Sequence, residues 1–355
     1  MQPIEQTNLS QPAPRDWRWF PDRRGRQIAQ QVRQTVRLLR LWQPGDRVLL
    51  GCSGGPDSLA ALLLIDHLRR SLGHHLDVAL VDHGLQPGRE LAIALVQEAC
   101  EARGLPLHVV RVHVPPGPQL EARCRELRYA ALADLQNRLG CKAIITAHHA
   151  DDQAETLLMR ACRGAGPEAL TGIRSFRGDG VVRPLLGLSR TDLLAVLGDR
   201  PAWRDPSNAD ETHLRNRLRA RVMPQLEQAV PGAAAGLSRT AAHLSQIDSA
   251  AQWWLAQALF QAHILMEPGD LLGPLQPSVW VDGALVLPRA LLPDHPAALA
   301  PILRWICQRL AVPLPSDAAV LQVAAAAMVP GPLATAIEGL QLDRDRDHWR
   351  IHRAP

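Results

Sequence analysis

The sequence predicts an α/β fold, a parallel sheet with helices on both faces, followed by a mainly helical second domain. Three observations carry this expectation. Between residues 47 and 146, short apolar runs alternate with segments of helical periodicity. A Gly-rich turn joins the first run to the first helix, and beyond about residue 190 the chain turns strongly helical. Strands alternating with helices at this pace form βαβ units, whose right-handed crossovers give parallel strands.

The elements follow in order. Residues 1–25 are rich in Pro, Gln, Asp and Arg and read as a flexible arm, with Trp17, Trp19 and Phe20 available to dock on the body. Val32, Val36, Leu39 and Trp42 recur at helical spacing over 28–41, and Pro44-Gly45-Asp46 makes a turn. Strands are expected at 47–51, 76–81, 107–112 and 142–146, and helices at 59–68, 90–103 and 121–139, with another from about Asp151. A short helix is expected at 191–197. Pro224 and Pro231-Gly232 then offer a boundary, giving a catalytic domain over 26–224 and a second domain over 225–355. The second domain reads as helix over 233–262, strand-like over 279–286, helix over 299–310 and 316–328, and a hairpin within 335–351.

Composition narrows the function classes. The 355 residues are 46% hydrophobic and 21% charged, enough apolar surface for a sizeable core. Aromatic content is 4%, with nine Trp, three Phe and one Tyr, which favours phosphate contacts over an aromatic stacking platform in any nucleic-acid binding. The formal charge is +4, and Lys142 is the only lysine. Arginine suits bidentate phosphate contacts, although genome composition alone also produces such a bias. Cysteines 52, 100, 124, 141, 162 and 307 include no C-x-x-C pair, so a zinc ribbon or paired redox motif is not indicated. With no run of 18 apolar residues and no leader-like N-terminus, a cytoplasmic protein without membrane association is expected.

Cys52-Ser53-Gly54-Gly55-Pro56-Asp57-Ser58 joins the first strand to the first helix. Glycines there admit close approach of an oxyanion, and helix-terminal N–H groups with the macrodipole attract it. The plainer alternative is an ordinary turn capped by Asp57 or Ser58. The segment is not a Walker A loop, which needs Gly-Lys-Ser/Thr, nor a G-x-G-x-x-G fingerprint. Ser53 to Ser58 resembles the PP-loop of the N-type ATP pyrophosphatases, which cleave ATP between the α- and β-phosphates. The resemblance implies a Rossmann-like PP-loop ATPase fold, with Ser53, Gly54, Gly55, Pro56, Asp57 and Ser58 binding ATP and Asp57 helping to hold Mg²⁺.

The run from Thr146 through His148, Asp151, Asp152 and Glu155 starts the helix after the fourth strand. At 100° per residue Asp152 and Glu155 share a face, with His148 alongside if the helix starts early. Paired carboxylates there suit Mg²⁺ chelation or the grip of an ammonium group, and one aspartate alternatively serves as a helix cap. Further on, His213 to Val222 reads as a helix with Leu214, Leu218 and Val222 in one stripe. Arg215 and Arg219 flank it on one side, Arg217 and Arg221 on the other. By itself such a helix reads as a solvated surface element sooner than as a phosphate-binding one.

The segments 146–173, Val81-Asp82-His83-Gly84-Leu85, Glu121-Ala122-Arg123 with Arg128-Tyr129, and Asp205-Pro206-Ser207-Asn208 with Arg215-Asn216 and Arg219 together resemble the tRNA(Ile)-lysidine synthetase family. The resemblance covers roughly residues 47–224. It implies adenylation of the wobble cytidine of a CAU-anticodon isoleucine tRNA by ATP, then attack by free lysine. Asp57, Asp152 and Glu155 would be catalytic, Asp152 and Glu155 would hold lysine, and His148 would contact ATP. Arg215, Asn216 and Arg219 would contact tRNA. The second domain would bind tRNA, and a homodimer is left open. Two rival readings are a PP-loop tRNA thiolase, which the missing cysteine pair opposes, and a non-catalytic nucleotide- or RNA-binding module.

Overall fold

The computed structural model describes residues 16–19, 21–86, 88–115, 117–261, 264, 279–291, 296–313, 316–328, 333–337 and 339–354. The chain divides into two compact units, Met1–Leu244 and Ser245–Pro355. This division lies beyond the expected boundary after residue 224, because Pro231-Gly232 is followed at once by a helix that carries the chain across it.

The first unit runs α1 (Arg23–Leu38), β1 (Arg47–Gly51), α2 (Pro56–Leu72), β2 (His75–Asp82), α3 (Arg89–Glu101) and β3 (Leu107–Arg111). It continues with α4 (Leu120–Leu139), β4 (Ala143–Ile145), α5 (Ala150–Ala161), the single-turn α6 (Pro167–Leu170), β5 (Val181–Val182) and α7 (Arg190–Leu197). After a 3-10 turn at Pro206–Ala209 come α8 (Leu214–Arg217), a π-helical turn at Leu218–Val222 and α9 (Met223–Ala229). The helix α10 (Ala233–Gln261) follows.

The five strands form one sheet in the order β3-β2-β1-β4-β5, with every pairing parallel. Side chains alternate across β1: Val48 and Leu50 join the core with α1, α2, α3 and α7, while Leu49 joins that with Leu132 and Leu135 of α4. Both faces of the sheet are covered, and α2 is packed by α1 and α7 as well as by the sheet, so it is buried almost all round, with Leu59 to Ile65 fully enclosed. No strand was expected at β5, a two-residue edge strand that follows the turn at Gly180 (φ +83°) and pairs in parallel with β4.

Of the segment expected as a flexible arm, residues 1–15 and Phe20 lie outside the described residues. Trp17 and Trp19 are buried in the first core. The Arg103 guanidinium donates to the Trp17 carbonyl, and Arg200 donates to the carbonyls of Asp16 and Arg18. Asp22 caps α1 through the Gly25 N–H.

The second unit is mainly helical. With the end of α10 it contains β6 (Trp280–Val281), β7 (Ala284–Pro288), α11 (Pro296–Leu310), α12 (Asp317–Met328), β8 (Leu333–Ile337), β9 (Leu340–Arg344) and β10 (His348–Arg353). The strands make an antiparallel sheet in the order β6-β7-β10-β9-β8, packed on Trp305, Ile306 and Val323 of the helices. The expected C-terminal hairpin is thus a three-strand meander joined to the β6–β7 hairpin.

Candidate active site

Strand order reverses between β1 and β4. Loops leaving the carboxyl ends of two such strands diverge to opposite faces and open a crevice between them. The Gly-rich loop leaves β1 and the acidic helix α5 leaves β4, so the topology brings these two motifs together. They border one cavity of about 1010 Å³, lined by Ser53, Asp57, Arg128, His148, Asp152 and Arg215 among others.

The loop is held from within and behind. Ser58, almost fully buried, has its hydroxyl donating to the Gly55 carbonyl (2.9 Å) and accepting from the Ser53 N–H (3.1 Å). A buried hydroxyl needs such partners, so this one is committed to the loop although the residue borders the cavity. Gly54 adopts φ +81°, and a Cβ there would stand 2.8 Å from the Ala92 Cβ, so both conformation and space require glycine. The Ser53 and Gly54 carbonyls face away: Arg89 donates to the first (2.8 Å) and the Trp203 N–H to the second (2.9 Å). Arg89 also stacks on the Trp203 ring at 5.0 Å. Gly55 gives α2 no side-chain cap and Pro56 sits in its first turn, which leaves helix-terminal N–H groups for an anion.

Asp57 stands in the first turn of α2. Its Oδ1 is buried without a hydrogen bond, and its Oδ2 lies 3.6 Å from His149 Nε2. His149 is the hub of the acidic corner, 3.5 Å from Asp151 Oδ2 and 3.5 Å from Asp152 Oδ2. Burial alone lowers its basicity, but Asp151, Asp57 and Asp152 together outweigh burial and hold the imidazole protonated up to about 10. Its neighbour behaves oppositely. Burial drives the His148 pKa down to about 3, Asp152 opposes this, and Arg183 and Arg128 add to it. His148 is therefore a neutral hydrogen-bonding group, tied to the Thr146 hydroxyl through Nδ1 (2.9 Å).

The two aspartates at the start of α5 have separate attachments. Asp151 accepts from the Arg190 N–H (2.8 Å) and so fastens α5 to α7. Asp152 accepts from the His149 N–H through Oδ2 (3.0 Å) as a reciprocal helix cap, while its Oδ1 receives Arg215 Nη2 (2.7 Å). Burial pushes the Asp152 carboxyl up, but His149 and Arg215 outweigh it and keep the group below the ordinary carboxylate range. Glu155, 2% exposed, accepts from Arg215 Nε (2.8 Å) and from Arg219 Nε (2.6 Å) and Nη2 (2.9 Å).

Arg215 and Arg219 thus grip both acids, a pairing that sequence reasoning did not anticipate. The π-helical turn at Leu218–Val222 lies within this segment, and Leu214 and Leu218 are only half-buried. Val222 is exposed, so the segment is attached chiefly by its arginines rather than by the expected apolar stripe. Asn216 donates to the carbonyls of Ser207 and Asp210 (both 2.9 Å) and staples the 3-10 turn beneath it. His149, Arg89, Trp203 and Arg190 were all missed. Of these, His149 lay inside a motif, beside the histidine that was singled out, and Trp203 stands two residues before the Asp205–Asn208 segment.

The comparisons agree with this architecture. Residues 25–226 match the family model described as a PP-loop domain. A tRNA(Ile)-lysidine synthase of Salinispora tropica is 43% identical over 233 residues, 62% of this chain and 68% of that protein. The chain belongs to the tRNA(Ile)-lysidine synthase family of PP-loop proteins. Its relative from Novosphingobium aromaticivorans is 44% identical over 223 residues, covering 60% of this chain and 66% of that one. For the Thermus thermophilus relative, 44% identical over 212 residues, the corresponding shares are 58% and 40%. The chain therefore spans about two thirds of the first two relatives' lengths and less than half of the third's. A U34-tRNA thiolase from Methanococcus maripaludis with a [4Fe-4S] cluster shares the fold, with TM-score 0.53 and 19% identity over 62% of this chain and 78% of that one. Among the described residues, no helix is long and apolar enough to cross a membrane.

Proposed function

We propose that this protein ligates free lysine to C2 of the wobble cytidine of CAU-anticodon isoleucine tRNA, at the cost of ATP. The observation that carries the reading is the cavity itself, in which an uncapped helix terminus suited to pyrophosphate shares the lining with the Asp152 carboxylate, while Glu155 is buried under Arg215 and Arg219. The chemistry takes two steps. The cytosine O2 attacks the α-phosphorus of ATP; the new O–P bond forms as the bond to the β-phosphate oxygen breaks, and pyrophosphate leaves toward Ser53–Ser58. The adenylated C2 is then attacked by the ε-amine of lysine, which has lost a proton, and the C2–O bond breaks to release AMP.

The chain's own groups fit these steps. Backbone N–H groups at the start of α2, with Ser53, take the leaving pyrophosphate, and Ser58 keeps their geometry fixed. Neutral His148 offers a hydrogen bond to ATP without an added charge. Asp57 Oδ1, without a hydrogen bond and 4.0 Å from Arg190 Nε, is a hard oxygen donor beside the phosphate site, which fits Mg²⁺ held by one or two carboxylates and substrate phosphates. Such an ion offsets charge on the phosphates. Asp152 and Glu155 attract and orient the lysine ammonium. With its acidity strengthened, Asp152 is a weak base, so orientation rather than proton removal is its contribution. An incoming ammonium competes with Arg215 and Arg219 for these acids, and arginines drawn to RNA phosphate would release them.

A thiolase reading gains no support from the cysteines. Cys52, in the loop, is buried, which pushes its thiol up and away from the reactive thiolate. The test is pyrophosphate release from ATP with CAU-anticodon isoleucine tRNA, together with radiolabelled lysine incorporation. Incorporation that requires ATP and the wobble cytidine is the expected result. Pyrophosphate release without incorporation would replace lysine by another nucleophile, and silence in both assays would leave a binding module.

A further inference from the structure

Tyr129, the chain's single tyrosine, lies on α4 one helical turn after Arg125 and next to Arg128. The guanidinium carbons of Arg125, Arg128 and Arg177 stand 5.0, 5.4 and 4.4 Å from its ring centroid. A fourth arginine, Arg183, follows β5 at the sheet edge and is 3% exposed. Its Nε and the Tyr129 hydroxyl are both buried without a hydrogen-bond partner. Arg177 is neutralised by Asp179, which it meets through both Nε (2.9 Å) and Nη2. Among the described residues, no salt bridge supplies a carboxylate to Arg125, Arg128 or Arg183.

With Arg177 neutralised, Arg125 and Arg128 at the ring and Arg183 beside the hydroxyl still repel each other, and cation–π attraction offsets only part of that repulsion. Arg128 and Arg183 are held below the ordinary guanidinium range, mainly by burial; Arg125 adds to this in both. Such a cluster is completed by an anion. Its location indicates which one. Arg128 lines the cavity beside Thr146 and His148, whereas Arg125 is exposed on the outer turn of α4. The cluster therefore runs from the cavity rim outward, along the line an extended polyanion follows to place one nucleotide inside. The triphosphate already has a receptor at the start of α2.

We propose that the arginine-ringed Tyr129 is a docking site for RNA, taking a backbone phosphate of a nucleotide that flanks the one entering the cavity. This rests on the RNA-modifying reading above and adds which wall of the site meets the strand. Tyrosine and stacked guanidiniums also present flat faces on which an unstacked base can lie.

The test compares the full-length protein with Arg125→Ala, Arg125→Glu and Tyr129→Leu. Binding of CAU-anticodon isoleucine tRNA is measured at several salt concentrations, with ATP binding measured in the absence of RNA. Arg125 is exposed, so its variants keep the fold. Arg125→Glu is expected to weaken RNA binding about tenfold at low salt and to reduce the salt slope by about one. Arg125→Ala should have a smaller effect in the same direction, with ATP affinity unchanged in both. Tyr129→Leu should lower RNA affinity by freeing the arginines it orders. RNA affinity and slope unchanged in both Arg125 variants would overturn the proposal. A parallel fall in ATP affinity would also overturn it, assigning the cluster to the nucleotide instead. Lysine incorporation by the unsubstituted protein is scored alongside: its absence with normal RNA binding sinks the ligase reading and leaves the docking site standing.

Discussion

The phosphate loop and the acid–arginine cluster line the same cavity and are held by opposite means. The loop is stabilised mostly by residues within a few positions: Ser58 bonds to Ser53 and Gly55, and Gly54 takes a conformation only glycine adopts readily. Asp152 and Glu155 are held instead by Arg215 and Arg219, from a segment some sixty residues further along the chain. A local site is preorganised before any ligand arrives. A site closed by four ionised side chains is rearranged by anything that competes for those charges.

The sharpest break in this contrast comes from the loop. Asp57→Ala should lower RNA-dependent pyrophosphate release by about 10²–10³-fold, the usual cost of removing a charge-stabilising group. Near-normal release would remove Asp57 from the chemistry. Next comes charge reversal at the cluster. Arg215→Glu combined with Arg219→Glu would turn the cluster into four acids, two of them new beside Asp152 and the nearly buried Glu155, with a stability loss of about 3–5 kcal/mol. Urea unfolding reads that loss, and a flatter salt dependence of tRNA binding reads the loss of phosphate contacts. Stability and salt slope both unchanged would show that the pairing seen here does not persist in solution.

A smaller effect is expected from Gly54→Ala, where backbone strain and the approach to Ala92 together cost about 1–3 kcal/mol. Because the strain lies in the loop, it should appear as a raised KM for ATP, with tRNA affinity untouched. Equal losses of both affinities would mean that the two regions are coupled rather than separately held. Last, Asn216→Ala removes two hydrogen bonds to exposed carbonyls and should cost about 1 kcal/mol in stability. A loss of tRNA affinity without any change in stability would restore Asn216 as a direct RNA contact.

Much of this was legible in the sequence because it rests on short-range patterns. The strands of the sheet other than β5 follow from apolar runs bounded by turns, and the Gly-rich loop announces itself by glycine spacing. The neighbouring histidines show where that reading stops. His148 and His149 are indistinguishable as letters, yet one is neutral among arginines and the other is a cation among three carboxylates. Nothing local marks Arg89 as the support behind the phosphate loop, since its partners Ser53 and Trp203 lie far away on either side.

The sequence by itself determined the alternation of strands and helices, the loop at Ser53–Ser58, and the residue types suited to phosphate, ammonium and RNA. Periodicity and turn chemistry act over a few residues and are written in order along the chain. Only the tertiary structure decided that strand order reverses between β1 and β4, so that the loop and the acidic helix share one cavity. It also decided that Asp152 and Glu155 meet Arg215 and Arg219, and that three arginines gather on the Tyr129 ring with Arg183 beside its hydroxyl. Charges act through space, and the distances between them are set by packing of the two cores rather than by spacing along the chain.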